Sequence, residues 1–491
     1  MCKKYFLGLD HGGTVIKAAL FDLNGRQIAC ESIRVPMDTP EEGVCNRSME
    51  EIKEANEAVI RRLTEVYGGE SIVGIGICGH GKGLYLLDKE KKIFCPGIPS
   101  ADRRALTYAQ TWIADGTWDK VKTRTMQGLM ACQPVALLKW LKDQKPEIYE
   151  QIGYVLSVKD YVRFCLTGEI YAEYTDISGT NLLDLHTRDY NRELLEAFDI
   201  LEIADSLPTI RSSTDVCGGV TREVAECTGL KEGTPVVGGM FDIDACALSS
   251  GCCVSGDMCV IAGTWSINEY ITDRCDKNAH VAMHSIFCDP QYYLAEESSA
   301  TSAGNLEWFR EQWKINDYGE LEEMVSAVDS EECKLYYLPF LYASNQAPLA
   351  RGCMVGMSGH HTLCHVARAV YEGVVFCHLT HIKKLFEDFE KPDVVRLAGG
   401  VVQSAVWSQM FADAIGLPIE LMEDTEMGAK GAAMAAAVGI GLFENYSQAV
   451  KSWVKRGKVL QPDMKKHVHY EKKYAAYLAV AEALNPLWDT I

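Results

Sequence analysis

The feature that most constrains the fold of this chain is a short glycine turn, Asp10-His11-Gly12-Gly13-Thr14, which follows the apolar run Tyr5-Phe6-Leu7-Gly8-Leu9. Successive glycines allow backbone N–H groups to approach an anion closely, and the Thr14 hydroxyl adds another donor. Asp10 stands where a carboxylate can hold a magnesium-bound water beside a phosphate. Taken alone, the turn is equally typical of an ordinary glycine hairpin with a surface Asp. The neighbouring segments are needed to distinguish this hairpin from an anion-binding turn.

The segments that follow alternate between strand and helix patterns. The runs 15–21 and 26–30 are rich in β-formers, and the Asn24-Gly25 pair between them is a strong signal of a β-hairpin. Ser48 and Glu51 form a capping-box pattern at the start of a helix. The apolar face of that helix is expected at Ile52, Ala55, Val59, Leu63 and Val66. The β-branched run 72–77 then predicts a buried parallel strand, and the alternation predicts an α/β fold.

The same pattern restarts in the second half of the chain. The run 260–266 is a second strand, which ends in a small turn at Gly263 and Thr264 and echoes the first strand and its turn. This echo predicts two related halves that face each other across a cleft and divide near residues 245–251. We therefore expect an N-terminal domain at 1–246 and a C-terminal domain at 247–491.

The composition is that of an ordinary globular protein, with 47% hydrophobic and 24% charged residues in 491. The net charge of −20 disfavours binding to nucleic acid and to anionic membranes. The 19 cysteines are scattered, which indicates reduced thiols of a cytoplasmic protein rather than a disulfide framework. Met1-Cys2-Lys3-Lys4 leads directly into the first strand, so we expect no signal peptide.

Two further segments carry candidate chemistry. The glycine pair 399–400 follows a strand-like run and precedes a helix pattern, and a helix N-terminus behind two glycines suits a nucleotide. Asp242 follows a strand and the glycine pair 238–239, where α/β folds present catalytic side chains. Its carboxylate can act as the base for a hydroxyl that attacks a phosphoryl group. A structural or magnesium-bound Asp is the alternative, and Asp244 competes for the role of base.

The histidine pairs of the chain predict no metal site. His378 with His381, and His467 with His469, lack a thiolate or carboxylate that would complete a ligand set. We therefore expect packing or solvent roles for them.

Three motifs resemble those of the FGGY carbohydrate kinases, which are sugar kinases of the actin-like ATPase superfamily. The most specific motif begins at Gly352-Cys353-Met354-Val355-Gly356-Met357, continues with His365-Val366 and ends with Ala369-Val370-Tyr371-Glu372. The segments 159–168 and 176–180 resemble the middle region of the family. The resemblance runs from about Leu7 to about Gly441, and it implies two actin-like (ribonuclease H-like) α/β domains.

The resemblance also implies roles in binding ATP and Mg²⁺ for residues at matching positions. Those that match the two phosphate motifs are Asp10, Gly12, Gly13, Thr14, Gly263 and Thr264. Those that match the nucleoside pocket are Gly304, Gly400, Gln403 and Ser404. Asp242 matches the catalytic base, and Asp10 and Asp242 are the implied carboxylates on the metal side.

On the sugar side, Asp102 and Arg104 reproduce the Asp-x-Arg that contacts the sugar in this family. His80 and Lys82 stand in a segment where D-xylulose kinases carry a different motif, which disfavours D-xylulose as the substrate. We expect them to help select an L-configured ketose, although Lys82 could also be a solvated loop lysine. Stretches such as 72–87 and 134–141 resemble the L-xylulose kinases within the family.

The function implied is ATP-dependent phosphorylation of the terminal hydroxyl of a small sugar, with L-xylulose or a related keto-sugar as the first choice. D-Xylulose, ribulose and erythritol are alternative substrates. An alternative of a different class is a non-catalytic actin-like ATPase used for sensing. Such a protein would not need Asp102, Arg104 and Asp242, whose presence favours catalysis. We expect no nucleic-acid or membrane partner, and a homodimer is one option for the assembly.

Overall fold

The computed structural model describes residues 3–276, 280–281, 283–344, 347, 349–422, 424–488 and 490. The chain forms two compact units, and neither is continuous in sequence. Unit 1 comprises Met1–Val254, Ile271–Leu294 and Glu426–Val454, and unit 2 comprises Ser255–Tyr270, Ala295–Thr425 and Lys455–Ile491. Met1 and Cys2, which entered the expectation about a signal peptide, lie outside the described residues. The domain boundary at residues 246/247 stays a prediction.

The first part of the chain carries most elements of unit 1. In chain order they are β1 (Tyr5–His11), β2 (Val15–Asp22), β3 (Gln27–Arg34), β4 (Asp38–Glu41), β5 (Val44–Asn46), α1 (Met49–Tyr67), β6 (Ile72–Gly79), β7 (Tyr85–Leu87), α2 (Leu106–Ala114), α3 (Thr117–Thr125), α4 (Pro134–Gln144), α5 (Pro146–Tyr149), β8 (Tyr154–Leu156), α6 (Val158–Thr167), β9 (Ala172–Glu173), α7 (Tyr174–Ser178), β10 (Leu183–Asp184), β11 (Asp189–Tyr190), α8 (Arg192–Ala197), β12 (Ile210–Arg211), β13 (Val216–Gly219), α9 (Arg222–Thr228), β14 (Pro235–Val237), β15 (Met240–Phe241) and α10 (Asp242–Ser249).

The remaining elements follow. They are β16 (Met258–Ala262), β17 (Ser266–Thr272), β18 (Met283–Ile286), β19 (Tyr293–Ser299), α11 (Ala303–Gln312), α12 (Tyr318–Ser326), β20 (Tyr336–Leu338), β21 (Cys353–Val355), α13 (Leu363–Asp388), β22 (Val395–Ala398), α14 (Ala405–Ile415), β23 (Ile419–Leu421), α15 (Met427–Gly439), α16 (Tyr446–Trp453), β24 (Val459–Leu460) and α17 (Met464–Leu484). Short 3-10 helices lie at Leu201–Ser206, Gly400–Gln403 and Asn485–Leu487. Among the described residues, no helix combines the length and the apolar character needed to span a membrane.

The main sheet of unit 1 has the strand order β13-β14-β6-β1-β2-β3, and β15 also pairs with β6. Strands β1, β2 and β3 run antiparallel in sequence, whereas β6 runs parallel to β1. The predicted hairpin is confirmed: Gly25 adopts a φ of 72°, and its N–H donates to the Asp22 carbonyl in the turn between β2 and β3. The buried parallel strand expected at 72–77 is confirmed as β6.

Helix α1 begins where the capping pattern predicts, because the Ser48 hydroxyl accepts a hydrogen bond from the Glu51 N–H. The predicted apolar face is buried at Ile52, Val59 and Leu63, but the assignment of Val66 to that face was wrong. Val66 is 73% exposed. The helix ends at Tyr67, so Val66 lies in its last turn. This turn extends beyond the apolar surface that the rest of α1 covers.

Unit 1 buries two separate clusters of apolar side chains. One lies between the main sheet and helices α1, α6 and α9, and includes Leu7, Ile75 and Val236. The other lies among the helices and short strands between residues 84 and 203, together with Ile286 of β18, and includes Leu137 and Phe198. The sheet and the helical region therefore each bury an apolar core of their own.

Helix α15 packs its backbone directly against the sheet of unit 1. A Cβ atom on Gly8 would lie 1.8 Å from the Ala429 carbonyl oxygen, and one on Gly76 would lie 1.8 Å from the Ala432 carbonyl oxygen. Real Cβ atoms do not approach backbone oxygens this closely, so β1 and β6 need glycine at these two positions. Helix α10 contacts the same helix, since a Cβ on Gly431 would lie 2.2 Å from the Ala245 oxygen.

Unit 2 repeats the strand arrangement of unit 1, as the sequence echo predicts. Strands β16 and β17 pair antiparallel around the Gly263–Thr264 turn, and β22 pairs parallel to β16. In unit 1, β1 and β2 pair antiparallel around the Gly12–Thr14 turn, and β6 pairs parallel to β1. Strand β23 continues the unit 2 sheet parallel to β22, and β24 closes it antiparallel. The two-domain α/β fold expected from the sequence is therefore confirmed.

The glycine packing beneath α15 gives a direct test of the fold. We expect Gly76→Ala to lower the melting temperature by about 5 °C or more, because the methyl group must push α15 away from β6. Differential scanning fluorimetry provides the measurement. Gly128→Ala is the matched control, since a Cβ on Gly128 meets nothing within 4 Å. Equal melting temperatures for the two variants would contradict the packing described.

Candidate active site

The candidate site of unit 1 lies at the carboxyl ends of three neighbouring parallel strands. Asp10 on β1 and Met240 on β15 both pair in register with Cys78 on β6. Asp242 follows Met240 by two residues and is the first residue of α10. Burial raises the pKa of the Cys78 thiol well above its usual value, and the nearby Asp10 and Asp242 carboxylates raise it further. The sheet thus brings the two predicted carboxylates to the same edge.

Asp10 lies against the N-terminus of α15. A Cβ atom on Gly428 would lie 2.5 Å from the Asp10 Oδ2, so only glycine leaves room for this carboxylate. Burial raises the pKa of Asp10 to about 6, although the nearby Lys17 ammonium acts in the opposite direction. Lys17 also forms an ion pair of 2.9 Å with Glu426, the residue that precedes α15. The side chain of Glu426, the N-cap residue of α15, makes no cap hydrogen bond. The partial positive charge of a helix N-terminus favours an anion at this place.

The turn between β1 and β2 is open enough for an anion to reach its backbone. The Gly12 N–H donates to the Val15 carbonyl at 3.1 Å, which closes the turn. A Cβ on Gly13 would meet nothing within 4 Å, and Gly13 is exposed. Thr14 is half-buried beside it. These residues fit the phosphate-binding turn that the sequence predicts.

The two carboxylates of α10 have different surroundings. Asp244 is fully buried, and its Oδ1 accepts a hydrogen bond from the Cys288 N–H at 3.0 Å. Asp242 keeps part of its surface exposed at the strand-to-helix junction. A base has to reach its substrate. The geometry therefore favours Asp242 over Asp244 in that role.

His80 and Lys82 follow β6 and lie close to the Asp242 segment. The Lys82 Nζ lies 5.7 Å from the centre of the Phe241 ring, and Phe241 immediately precedes Asp242. Lys82 also holds a left-handed φ of 63°, which a non-glycine residue adopts only at a cost. The His80 Nε2 lies 3.1 Å from the Tyr85 hydroxyl. Lys82 is thus half-buried beside the ring of Phe241. Its part in sugar selection and the alternative of a solvated loop lysine both stay predictions.

Asp102 and Arg104 are engaged with each other and with β5. The Asp102 carboxylate accepts hydrogen bonds from the N–H groups of Cys45 and Arg104 and from the Arg104 Nε. The Arg104 Nη2 donates to the Cys45 carbonyl and to the Asn46 side chain. In this structure the pair clamps the segment 45–46. The sugar contact that the family resemblance implies for Asp102 and Arg104 stays a prediction.

Arg47 is a residue of the site region that the sequence analysis missed. Its side chain is fully buried, and its Nη1 donates to the Gly12 carbonyl in the phosphate turn at 3.3 Å. Its Nε and Nη2 have no hydrogen-bond partner among the described residues. Its positive charge helps burial to lower the pKa of His11 to about 3 and of His80 to about 4. In sequence, Arg47 only precedes a helix cap, so no local signal identifies it.

The candidate site of unit 2 brings three predicted glycine segments together. The Ala303 N–H at the start of α11 donates to the Gly263 carbonyl at 2.8 Å. A Cβ on Gly304 would lie 3.6 Å from the Thr264 side chain. Gly399 adopts a φ of 92°, and a Cβ there would lie 2.7 Å from the Ala262 carbonyl oxygen. The turn after β16, the N-terminus of α11 and the turn after β22 are thus neighbours.

Gly400 and Gln403, which follow Gly399, lie at the surface of unit 2. A Cβ on Gly400 would meet nothing within 4 Å, and Gln403 is exposed. The Ser404 hydroxyl caps α14 by accepting a hydrogen bond from the Trp407 N–H. The predicted helix after this turn is therefore confirmed as α14. Gly400 and Gln403 are accessible to a ligand, whereas Ser404 has a structural contact of its own.

His378 and His381 of α13 have packing roles, as the sequence predicts. The buried His378 bonds to Ser302 and Asn268 through its two ring nitrogens. The buried His381 bonds to Ser299 and Glu297.

A divalent cation at Asp10 would have few protein ligands. Among the described residues, no cluster of three or more His, Cys, Asp or Glu side chains could hold a metal ion. Mg²⁺ commonly binds through one or two carboxylates and completes its shell with water and substrate phosphates. The Asp10 carboxylate beside an open glycine turn fits this mode of binding.

The fold and the two candidate sites define a two-domain α/β protein with a glycine turn after the first strand of each main antiparallel pair, at Gly12–Thr14 and at Gly263–Thr264. Two family models match this chain: the N-terminal domain of the FGGY family of carbohydrate kinases at residues 5–249, and its C-terminal domain at residues 258–440. The chain therefore belongs to the FGGY family of carbohydrate kinases. Sugar kinases of this family use ATP and generally a divalent metal ion, and they act on small sugars.

Individual relatives span nearly the whole chain. The L-xylulose/3-keto-L-gulonate kinase of Escherichia coli (strain K12) is 40% identical over 485 residues, which cover 98% of this chain and 97% of that protein. The probable L-xylulose kinase of Pasteurella multocida (strain Pm70) is 36% identical, with 98% and 99% covered. The crystal structure of a ligand-bound xylulose kinase from Lactobacillus acidophilus matches with a TM-score of 0.93 at 25% identity, and 99% of each chain is covered.

The buried His80 makes a prediction about pH. Because burial lowers its folded-state pKa to about 4, the folded protein keeps His80 neutral while the unfolded chain takes up a proton below about pH 6.5. Stability should therefore fall as the pH drops from about 6.5 towards 4. We expect wild type to lose about 3 °C more in melting temperature than His80→Gln between about pH 7 and pH 5.

The control for this experiment is His360→Gln, which replaces an exposed histidine. It should show the same pH dependence as wild type. If His80→Gln also follows wild type at both pH values, His80 is not held neutral by the fold.

Proposed function

We propose that this chain phosphorylates the terminal hydroxyl of L-xylulose or of a closely related keto-sugar, with ATP as the phosphoryl donor and Mg²⁺ as the metal. The observation that carries the proposal is the position of Asp242, partly exposed at the sheet edge that also presents Asp10. Two relatives that cover almost the whole chain are named for L-xylulose, which supports this sugar. D-Xylulose, ribulose and erythritol are the alternatives that the assay below separates.

In the proposed mechanism Asp242 accepts the proton of the sugar hydroxyl as the hydroxyl oxygen attacks the γ-phosphorus of ATP. The new P–O bond forms to the sugar while the bond to the ADP oxygen breaks, so the products are the sugar phosphate and ADP. The turns at Gly12–Gly13 and at Gly263, through the Gly13 N–H and the hydroxyls of Thr14 and Thr264, hold the phosphates. A Mg²⁺ ion at Asp10, with Asp242 as the second carboxylate nearby, would offset the phosphate charge.

The nucleoside of ATP is proposed to bind at the glycine segments of unit 2. The residues assigned to it are Gly304, Gly400, Gln403 and Ser404. Gly400 and Gln403 leave accessible backbone and side-chain groups there, which supports this assignment, and the N-terminus of α11 adds N–H groups beside Thr264.

For the sugar, we propose contacts from His80, Lys82, Asp102 and Arg104. The position of Lys82 over Phe241 supports its part, because it places a cation next to the proposed base. Asp102 and Arg104 also clamp the segment 45–46 directly before Arg47, so their loss should affect more than one contact. The division of the chain into domains 1–246 and 247–491 is proposed as well, with support from the family halves matched at 5–249 and 258–440.

Catalysis is favoured over a non-catalytic actin-like ATPase used for sensing because Asp242 keeps access to a substrate while Asp244 takes the structural contact. We also propose a cytoplasmic location, supported by the free thiols of the described cysteines. The net charge of −20 supports the absence of nucleic-acid and membrane partners. A homodimer is the proposed assembly to be checked by light scattering.

The base assignment predicts the effect of Asp242→Asn. We expect this variant to fold and to bind ATP, but to lose sugar phosphorylation by about a hundredfold or more, because the amide cannot accept the proton. A coupled assay of ADP release gives the rate, and calorimetry gives the ATP affinity. Asp205→Asn, at an exposed carboxylate, is the control and should keep wild-type turnover. Turnover of Asp242→Asn within a few-fold of wild type would show that Asp242 is not the base.

The specificity assignment predicts the effect of Lys82→Ala. We expect the ratio of kcat/KM for L-xylulose to that for D-xylulose to change by about tenfold or more, because a substrate oxygen loses its charged donor. The panel is L-xylulose, D-xylulose, L-ribulose and erythritol. The control is Lys89→Ala, at an exposed lysine on the loop after β7. A wild type that prefers D-xylulose, or unchanged ratios in Lys82→Ala, would refute the substrate assignment and leave the kinase assignment intact.

A further inference from the structure

The strand that leads to Asp242 is too short to fix this residue by itself. Strand β15 contains only Met240 and Phe241, and both pair with β6 alone. Asp242 is the next residue, one position beyond the last pair. Groups outside the β-sheet therefore have to hold the backbone that directs the Asp242 side chain.

Two buried side chains from another part of unit 1 bind this backbone, one before β15 and one at its last residue. The Arg163 Nη1 donates to the Gly238 carbonyl at 2.6 Å, and the Phe241 N–H donates to the Thr175 hydroxyl at 2.7 Å. Phe241 is the N-cap residue of α10, and its own side chain makes no cap bond. The Thr175 hydroxyl is therefore the group that receives the N–H directly before Asp242.

The direction of the Thr175 hydroxyl is set by Glu173. A hydroxyl has one proton to donate, and that of Thr175 goes to the Glu173 Oε2 at 2.6 Å. Its lone pairs are then free to accept from Phe241. Glu173 Oε2 lies 3.4 Å from the Lys159 Nζ and also accepts the Thr175 N–H. The chain Lys159–Glu173–Thr175 thus ends on the backbone N–H of Phe241, the residue directly before the proposed base.

The second anchor belongs to the same ion network. Lys159 pairs with Asp160 at 2.9 Å and with Asp176 at 2.8 Å, and Asp160 pairs with Arg163 at 2.8 Å. All of these side chains are buried. Burial raises the pKa of Glu173 to about 7, against the pull of Lys159. A buried ion network of this kind is costly in stability, and the best-attested reason to keep one is that it specifies a geometry.

We propose that Thr175 is a positioning residue for Asp242: oriented by Glu173, its hydroxyl holds the Phe241 N–H and thereby aims the Asp242 carboxylate at the sugar hydroxyl. The inference rests on the proposed role of Asp242 as base. Thr175 itself touches neither substrate nor reacting atoms. Small displacements of a catalytic group cost large factors in rate, so the loss of this hydrogen bond should appear in kcat.

The test compares Thr175→Val, which keeps the shape and removes the hydroxyl, with Thr175→Ser, which keeps the hydroxyl. We expect Thr175→Val to lower kcat by about tenfold or more, with KM for ATP and for the ketose changed by less than about threefold. Thr175→Ser should stay within about threefold of wild type. If Thr175→Val does not fold, Thr175→Ala removes the same hydroxyl and is read in the same way.

The control is Ser178→Ala on the same short helix. The Ser178 hydroxyl accepts a hydrogen bond from the Ile286 N–H at 3.0 Å, so this variant also loses a buried side-chain bond to a backbone N–H. It should lower the melting temperature as Thr175→Val does, but keep the wild-type kcat. Equal kcat values for Ser178→Ala and Thr175→Val would overturn the proposal, because both would then report only lost stability.

A double variant separates this inference from the proposed function. In the Asp242→Asn background there is no base left to aim, so adding Thr175→Val should change the residual rate by less than about twofold. A further tenfold loss would overturn the positioning role. If wild type phosphorylates no ketose, the proposed function fails, and if Asp242→Asn is active, the proposed role of Asp242 as base fails. An active wild type with an inactive Asp242→Asn and an unaffected Thr175→Val overturns the inference alone.

Discussion

Helix α15 lies so close to β1 and β6 that its carbonyl oxygens occupy the space where side chains at Gly8 and Gly76 would be. Most helices pack on sheets through interdigitated side chains, whereas this one packs backbone against backbone. The close approach brings the N-terminus of α15 to the end of β1, so that Gly428 faces the Asp10 carboxylate. The environment of the Asp10 carboxylate follows from this contact, because α15 both buries the carboxylate and places a helix N-terminus beside it.

The same contact connects the rest of the candidate site. Gly76 allows strand β6 to lie directly against α15, and β6 pairs with both β1 and β15. Strand β6 therefore fixes the register of Asp10 and that of the segment that leads to Asp242. Helix α10, which begins with Asp242, packs on α15 through Gly431. A shift of α15 would therefore move the phosphate turn and the proposed base together. Larger residues at these glycines would affect the site as well as the fold.

The sequence predicted the parts of this arrangement that depend on local chemistry. The hairpin at Gly25, the Ser48 cap, the strand β6 and the helix behind Ser404 each depend on a few neighbouring residues, and all are confirmed. The resemblance to the FGGY carbohydrate kinases predicted the family and the two-domain fold. The exposure of Val66 was not predicted, because helical spacing does not show where the covered surface ends.

The contacts that the sequence did not predict join residues from distant parts of the chain. Helix α15 is rich in Ala and Gly and nearly buried throughout, so it has no apolar stripe to assign it to unit 1. The clamp of Asp102 and Arg104 on β5 and the approach of Arg47 to Gly12 exist only once the strands are assembled. The sequence suggested sugar contacts at Asp102 and Arg104 but gave no sign that β5 engages the same groups. Arg47 carries a buried charge that no local pattern indicates.

The competition between Asp242 and Asp244 follows from helix geometry. Residues two positions apart on an α-helix point about 200° away from each other, so both carboxylates cannot face one substrate. Asp244 points into unit 1, where its Oδ1 accepts the Cys288 N–H. Asp242 is on the opposite side of the first turn and stays partly exposed. A change of side-chain rotamer cannot exchange these two positions, which favours Asp242 over Asp244 as the proposed base.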